Sequence, residues 1–271
     1  TRNLMLSMEI ILAFFVVFVV TAFACRYYQL YQLPTGFSYE SAWSVSIQTN
    51  AKIGEETASN ANSTTQNEKA KDKATIYDQL KRSLETLPEV EGVAFSSFSP
   101  YEMSTWVSDF YLPASGVAIE SNVMEVSDDF FDVLDMTVSQ GRWFSPIDEG
   151  ASEQAVVINR RMAEAMFPGQ SPLGKVLSDS QPGDKKAKMM RITGIFEDFR
   201  NRGEFMKPTN FVLARFSPFS VERSADAMLL KLKPGTTRQF EAKLSQQLKV
   251  VRNDWGYRIS PLSDLRKSML Q

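Results

Sequence analysis

One uninterrupted apolar run, IILAFFVVFVVTAFA from Ile10 to Ala24, limits what this chain can fold into more than any other feature. Extending it back to Leu4 adds only Ser7 and Glu9 as polar residues. Twenty or so helical residues, at about 1.5 Å each, reach about 30 Å, the thickness of a bilayer's hydrocarbon core. Arg26, Tyr27, Tyr28 and Tyr31 follow, the pairing of cation and aromatic rings that suits a membrane interface. Three readings compete with a retained anchor over residues 4–25. A buried core helix would need apolar neighbours on every side. A cleaved signal peptide is suggested by Ala22-Phe23-Ala24 before Cys25, but the run is long for a signal core and Glu9 precedes it. A lipoprotein signal ending at Cys25 is disfavoured by the bulk of Phe23. The retained anchor is therefore the expectation, with orientation weakly set because Arg2 and Arg26 stand alone on its two sides. The sequence opens on Thr1 rather than Met, so a cytoplasmic stretch is expected before it.

The remaining residues are enough for one or two cores, since the chain has 271 in all. Lys and Arg number 30 against 32 Asp and Glu, which leaves no basic footprint for nucleic acid. There is no histidine, which removes the commonest general base, the commonest metal ligand and the Ser-His-Asp triad. Cys25 is the sole cysteine, so neither an intrachain disulfide nor a cysteine zinc cluster can form. An exported domain of this composition must be held by its apolar core.

Leu33-Pro34-Thr35-Gly36 breaks the first helix. Trp43, Val45 and Ile47 alternate with serines and predict a strand with one buried face. Gly54 to Lys73 lacks any large apolar residue and reads as a loop or loose insertion, with a glycosylation pattern at Asn62-Ser63-Thr64. Ile76, Leu80, Leu84 and Leu87 predict a helix over 75–87, ended by Pro88, and 93–98 a second strand. The same arrangement recurs near the other end. Met228 to Lys233 reads as a strand and Pro234-Gly235 as a turn. Thr237 is the expected N-cap of a helix carrying Phe240, Leu244, Leu248 and Val251, and a strand begins at Tyr257. Two β-α-β units can pair into one open sheet with helices on one face, a ferredoxin-like arrangement. Between them, a helix over 127–134 capped by Ser127 and a strand over 154–158 are expected. A helix over 160–167 capped by Asn159, and strands over 190–196 and 210–214, follow. The expected fold class is thus α+β: paired porter-like β-α-β units, an inserted mixed α/β subdomain, and one preceding transmembrane helix. The divisions are 4–25 (transmembrane helix), 26–99 (first porter-like half), 100–222 (inserted subdomain), 223–263 (second porter-like half) and 264–271 (lead into a next transmembrane helix).

No residue presents itself as catalytic, cofactor-binding or metal-ligating, and no cofactor is expected. Gly169 to Lys175 matches the spacing of a phosphate loop, yet Val176 stands where a hydroxyl must reach magnesium. The segment also follows a helix rather than a strand, and Pro168 and Pro172 stiffen it into a turn. Paired carboxylates at Asp128-Asp129, Asp148-Glu149 and Glu197-Asp198 could do acid–base work or hold a hard cation only if they converged. Helix capping and solvated charge are the simpler readings, with Asp128 and Asp129 assigned to a helix first turn. GxSxG and SxxK patterns are missing.

Several short motifs in fixed order carry a resemblance. They are Val126 to Leu134 (VSDDFFDVL), Gly141-Arg142-Trp143-Phe144, Val156-Val157-Ile158-Asn159, Met166-Phe167-Pro168-Gly169 with Ser171 to Lys175, and Ile192 to Phe199 (ITGIFEDF). In these the chain resembles the extracytoplasmic core domain of MacB/FtsX-type ABC transporter permeases. The resemblance implies a first transmembrane helix, a large extracytoplasmic domain, and further transmembrane helices beyond Gln271. It implies a periplasmic location on the bacterial inner membrane and a non-catalytic role, with ATP hydrolysis on a separate subunit or region. It implies as partners a cytoplasmic ABC ATPase subunit, a second permease copy, a periplasmic adaptor or outer-membrane component, and membrane lipid. The implied mechanism is mechanical, with Pro34 and the tyrosines after the anchor where a lever would join the domain. A ligand-sensing or adaptor domain of a single-pass signalling protein is the alternative. An anchored hydrolase is disfavoured by the missing histidine and nucleophile motifs.

Overall fold

A computed structural model describes residues 2–48, 63–219 and 225–270 of the chain. Helix α1 (Arg2–Gln32) leads to strand β1 (Ala42–Gln48), helix α2 (Ser63–Glu85) and strand β2 (Val90–Ser96). Strands β3 (Trp106–Tyr111) and β4 (Ala118–Val126) follow, then the short helix α3 (Phe130–Val133) and strand β5 (Val138–Gly141). Strand β6 (Gln154–Asn159), helix α4 (Arg160–Met166) and strands β7 (Val176–Ser178), β8 (Met189–Phe196) and β9 (Phe211–Arg215) come next. Strand β10 (Ala227–Leu232), helix α5 (Phe240–Val251), strand β11 (Gly256–Pro261) and helix α6 (Leu262–Met269) end the described chain.

The outer β-α-β units pair as the ferredoxin-like pattern requires. Their strands run β11-β1-β10-β2, and every neighbouring pair is antiparallel. Period-two alternation then sorts side chains between two cores. Trp43, Val45, Val93, Phe95, Met228 and Leu230 face α2 and α5. Ala42, Ala94 and Leu229 face a second core under α3, with Phe130, Val133 and Leu134. The middle strands do something the sequence pattern did not announce. β4 pairs β3, β3 pairs β7, β7 pairs β8, β8 pairs β6, β6 pairs β9, and β9 returns to β4. These pairings close on themselves around Phe110, Val156, Ile158, Leu177, Ile192 and Val212, a small barrel with α4 packed on its core. The barrel joins the outer sheet where Ser96 of β2 meets Val126 of β4.

Four local expectations need correction. Helix α2 begins at Ser63, so residues 63–73 are helical rather than loop. Lys, Glu, Gln and Ala are strong helix formers, so a helix can run where the sequence offers no large apolar residue to mark it. Residues 54–62 of that expected loop, including Asn62 of the glycosylation pattern, lie outside the described residues. On the buried face of α2, Tyr77 takes the place expected of Ile76, which is only partly covered. Ser127 does not cap α3: that helix starts at Phe130, and the Ser127 hydroxyl accepts from Phe95 N at 2.9 Å, stitching β2 to β4. Thr237 likewise makes no side-chain cap, since α5 begins after Gln239 and only the Thr237 carbonyl serves it, accepting from Phe240 N. Asn159 caps α4 as expected, its side chain accepting from Met162 N at 3.1 Å.

Helix α1 stands apart from all this packing. Its apolar window has no residue buried within the chain, and Phe14 is 73% exposed. That rules out the buried core helix. The helix runs unbroken past Ala24 and Cys25 to Gln32, and buries its first side chain against the domain at Leu30.

Candidate functional site: the junction of the membrane helix with the domain

A helix that ends against a folded domain must find partners for its last carbonyls. Pro34 prevents α1 from continuing, and Gly36 turns the chain at φ +87°. A Cβ at Gly36 would lie 1.8 Å from the carbonyl oxygen of Asp198, so this turn is pressed onto the segment after β8. The same segment supplies the partner. Arg200, 1% exposed, donates from Nη2 to Leu30 O at 2.9 Å and from Nη1 to Leu33 O at 2.7 Å. Its Nε donates to Met206 O at 2.9 Å, and Nη2 also donates to Glu204 O. One guanidinium thus closes the C-terminus of α1 and folds the 200–206 loop around itself. A cation is also the charge that a helix C-terminus favours. Burial depresses the Arg200 pKa below the ordinary guanidinium value, while the nearby Glu204 and Asp198 charges act in the opposite direction.

The loop is anchored from behind by Phe199, whose ring lies 5.2 Å from Phe37, 5.0 Å from Phe211 and 6.1 Å from Phe130. Arg200 N donates to Thr35 O at 2.9 Å, and Tyr101 N donates to Asn201 O at 2.6 Å. Tyr101 holds φ at +63°, an uncommon conformation for a bulky residue, and its ring fits 5.3 Å from Phe37 and 6.0 Å from Tyr39. In front, Phe205 meets Tyr27 edge-on at 5.5 Å and Tyr31 at 6.2 Å.

Helix α6 reaches the same loop from the other end of the chain. Arg266 pairs with Glu204, and its guanidinium lies 4.8 Å over the Tyr39 ring. The carboxylate raises the Arg266 pKa. Leu262 is fully buried in the core beneath. The loop therefore holds both α1 and α6. It does so with polar contacts that are incompletely matched: among the described residues, seven buried side-chain polar atoms have no hydrogen-bond partner, and four are on Asn201, Arg202 and Glu204. No protein group offsets the desolvation of these atoms.

The motifs weighed in the sequence go elsewhere. Gly169 to Lys175 is a turn between α4 and β7, where Lys175 N donates to Pro172 O at 3.0 Å and Gly174 N to Ile192 O at 2.8 Å. Those N–H groups serve the turn and β8. Two of the acidic pairs meet at one cation, Arg215, which takes Asp128 from one and Glu149 from the other, and every carboxylate of the three pairs other than Asp198 has an ion-pair partner. Asp128 meets Arg215 at 2.8 Å, while Asp129, the N-cap residue of α3, meets Lys81 at 2.6 Å, so ion pairing across the fold adds to their place at the helix start. Glu149 also meets Arg215, Asp148 meets Arg142, and Glu197 meets Arg160. Sequence reasoning missed Arg200 and Glu204, because an Arg-Asn-Arg-Gly-Glu stretch reads as solvated loop, and Arg266, because no spacing reports its contact with a loop 62 residues away. Only the adjoining Glu197-Asp198-Phe199 had been singled out.

The family model described as the MacB-like periplasmic core domain matches residues 10–247. The chain belongs to that family. Its relatives are ABC transporter permeases, and a MacB-like extracytoplasmic domain behind an N-terminal apolar helix fits a membrane-anchored protein. The fold agrees with the periplasmic region of MacB from Actinobacillus actinomycetemcomitans. The TM-score is 0.55 at 13% identity, covering 90% of this chain and 98% of that one. A domain from Porphyromonas gingivalis, described as belonging to a permease protein, gives a TM-score of 0.51 at 16% identity over 82% of this chain and 91% of its own. The extracellular domain of the noncanonic ABC-type transporter YknZ from Gram-positive bacteria gives 0.49 at 12% identity, covering 80% and 99%. No curated protein matches the chain in sequence. Within the MacB-like family, the expected fold class of paired β-α-β units with an inserted α/β region stands.

Proposed function

We propose that this MacB-like chain is the extracytoplasmic part of an ABC transporter permease that passes motion from membrane helices to a periplasmic domain. The observation that carries the reading is the shared loop: Arg200 grips the end of α1, and Glu204, four residues on, grips Arg266 of α6. If α6 leads into a next transmembrane helix, both membrane connections of the domain act on one short segment. Nothing in such a transmission requires a catalytic site, only rigid elements with two arrangements. ATP would be hydrolysed by a cytoplasmic ABC ATPase on another subunit or region, and MacB-like homologues work with such an ATPase. The chain would sit in a bacterial inner membrane with its domain in the periplasm, beside a second permease copy and in reach of a periplasmic adaptor or outer-membrane component. Export or envelope substrate handling would be the outcome. In this reading 26–99 and 223–263 form the porter-like part, 100–222 the insertion, and 264–271 the second lever.

The connection Leu33–Gly36 is the place to test it. Replacing those four residues with a flexible Gly-Ser linker in the intact permease should leave ATP hydrolysis in place and abolish substrate transport. Transport continuing at its normal rate would show that α1 is a tether and not a lever.

A further inference from the structure

We infer that the loop Arg202–Lys207 is a lipid-docking surface, resting on the headgroup layer of the membrane that α1 crosses with Phe205 as its apolar contact. The inference rests on the reading of α1 as a membrane-spanning anchor. Glu204 and Met206 turn inward and are buried, whereas Phe205 is 41% exposed and Lys207 is exposed. A single exposed phenylalanine needs no explanation by itself. Its place does. The Phe205 ring lies 5.5 Å from that of Tyr27, and Tyr27 stands three helical residues past Ala24, the end of the apolar run. Three residues advance a helix by about 4.5 Å. The headgroup layer extends about 5–7 Å beyond the hydrocarbon on each side. Tyr27 therefore sits inside that layer, Tyr31, seven residues and about 10 Å past Ala24, lies just beyond it, and a ring touching both is held at the layer's outer edge.

Tyr27 and Tyr31 suit that depth because each ring is apolar in body and carries a hydroxyl, and phenylalanine is among the side chains that interfacial segments bury at the headgroup boundary. Arg26, one residue before Tyr27, and the exposed Lys207, two residues after Phe205, bring positive charge to the two segments, complementary to lipid phosphate. The segment that grips both α1 and α6 is thereby also the segment that rests on the bilayer.

The test uses the full chain in phosphatidylglycerol-containing nanodiscs. Cys25, the sole cysteine, is replaced (Cys25→Ser), and single spin labels are placed by Phe18→Cys, Phe205→Cys, Lys207→Cys and Val250→Cys. Val250, 74% exposed on α5, supplies the water reference. The Phe18 label should collide freely with oxygen and hardly at all with a water-soluble nickel chelate. The Phe205 and Lys207 labels should show nickel collision several-fold below the Val250 label. The Lys207 variant keeps the aromatic contact intact and so covers the case in which Phe205→Cys disturbs the loop. A deep Phe18 label with Phe205 and Lys207 labels as nickel-accessible as Val250 overturns the docking while leaving the anchor standing. That same water-exposed loop would be the result if it instead served a protein partner. A water-accessible Phe18 label overturns the anchor and the docking together.

Discussion

Helices α2 and α5 hold to their sheet through Tyr77, Leu80, Leu84, Phe240, Leu244 and Leu248, whereas the 200–206 loop is tied to α1 through Arg200 and to α6 through Arg266, beside the apolar contacts of Leu30, Leu262, Leu265 and Met269. In the first region apolar area is removed from water at about 25 cal/mol per Å², a gain that tolerates small shifts because it has no direction. In the second, stability depends on hydrogen bonds whose donors and acceptors must face one another, beside buried atoms on Asn201, Arg202 and Glu204 that have no partner. A directional contact with uncompensated polar groups opens at lower cost than an apolar core. The difference suits a domain whose porter-like sheet stays rigid while its membrane end yields.

The comparison is most exposed to failure at Arg200. Arg200→Met keeps the aliphatic bulk but leaves the carbonyls of Leu30, Leu33, Glu204 and Met206 without this donor. Leu30 O keeps the N–H of Leu33, and Leu33 is 42% exposed, so two buried acceptors, on Glu204 and Met206, are left unpaired; at about 1–3 kcal/mol each, a loss of about 2–6 kcal/mol is expected, confined to the junction. Hydrogen exchange should show the amides of Arg200 and Gly203 losing protection while those of Leu244 and Leu248 keep theirs. Equal loss at both would mean the two regions are one cooperative unit. The reciprocal change, Leu244→Ala, removes a fully buried side chain from the helix layer and should cost about 2–5 kcal/mol by cavity formation, read as a lower denaturant midpoint.

How far each region was legible in the sequence follows the same division. The apolar run gave away α1, and the spacing of Ile76, Leu80, Leu84 and Leu87, repeated at Phe240, Leu244, Leu248 and Val251, revealed both helices and hence the paired units. Periodicity reports burial of apolar side chains and nothing else. It therefore misread residues 63–73, whose helix has no large apolar residue, and it could not see that β3, β4 and β6 to β9 close into a ring, since closure depends on which edges meet. At the junction it was blind for a stronger reason. A buried arginine satisfied by backbone carbonyls has the same local sequence as a solvated one, and Arg200 is flanked by Asn201 and Arg202. The motifs shared with the MacB-like family stop at Phe199, one residue short of it.

A smaller effect sharpens where the junction bears load. Gly36→Ala places a β-carbon on Asp198 O and forces an L-residue to φ +87°. The backbone conformation alone costs about 1–2 kcal/mol. Loop displacement should add to that, and the Thr35–Arg200 hydrogen bond should exchange faster. Less is expected from the α6 tie. A double-mutant cycle of Glu204→Gln and Arg266→Met should return a coupling of about 0.5–3 kcal/mol, the range for contacting groups. Additive effects would mean that α6 is held by Leu262, Leu265, Met269 and the Arg238–Asp264 pair, and that the loop does not join the two helices.

The smallest effect contrasts a buried arginine with an exposed one. Arg142, half exposed, makes paired hydrogen bonds to Asp148 at 2.6 and 2.7 Å, and its guanidinium holds the Asp148 carboxyl below the usual aspartate range. A carboxyl with a depressed folded-state pKa contributes stability that is complete above its unfolded value, about 3.9, and is lost as pH falls through the folded value. The denaturant midpoint of the native protein should therefore drop more between pH 5 and about pH 3 than that of Asp148→Asn. Arg200 should add no such slope, because all its acceptors are backbone carbonyls that do not titrate. Arg200→Met should accordingly lower the acid curve by a constant amount, parallel to the native one. A curve that instead converged with the native protein in acid would mean that Arg200 acts through the neighbouring carboxylates of Glu204 or Asp198, and the junction would then be an electrostatic contact of the ordinary kind.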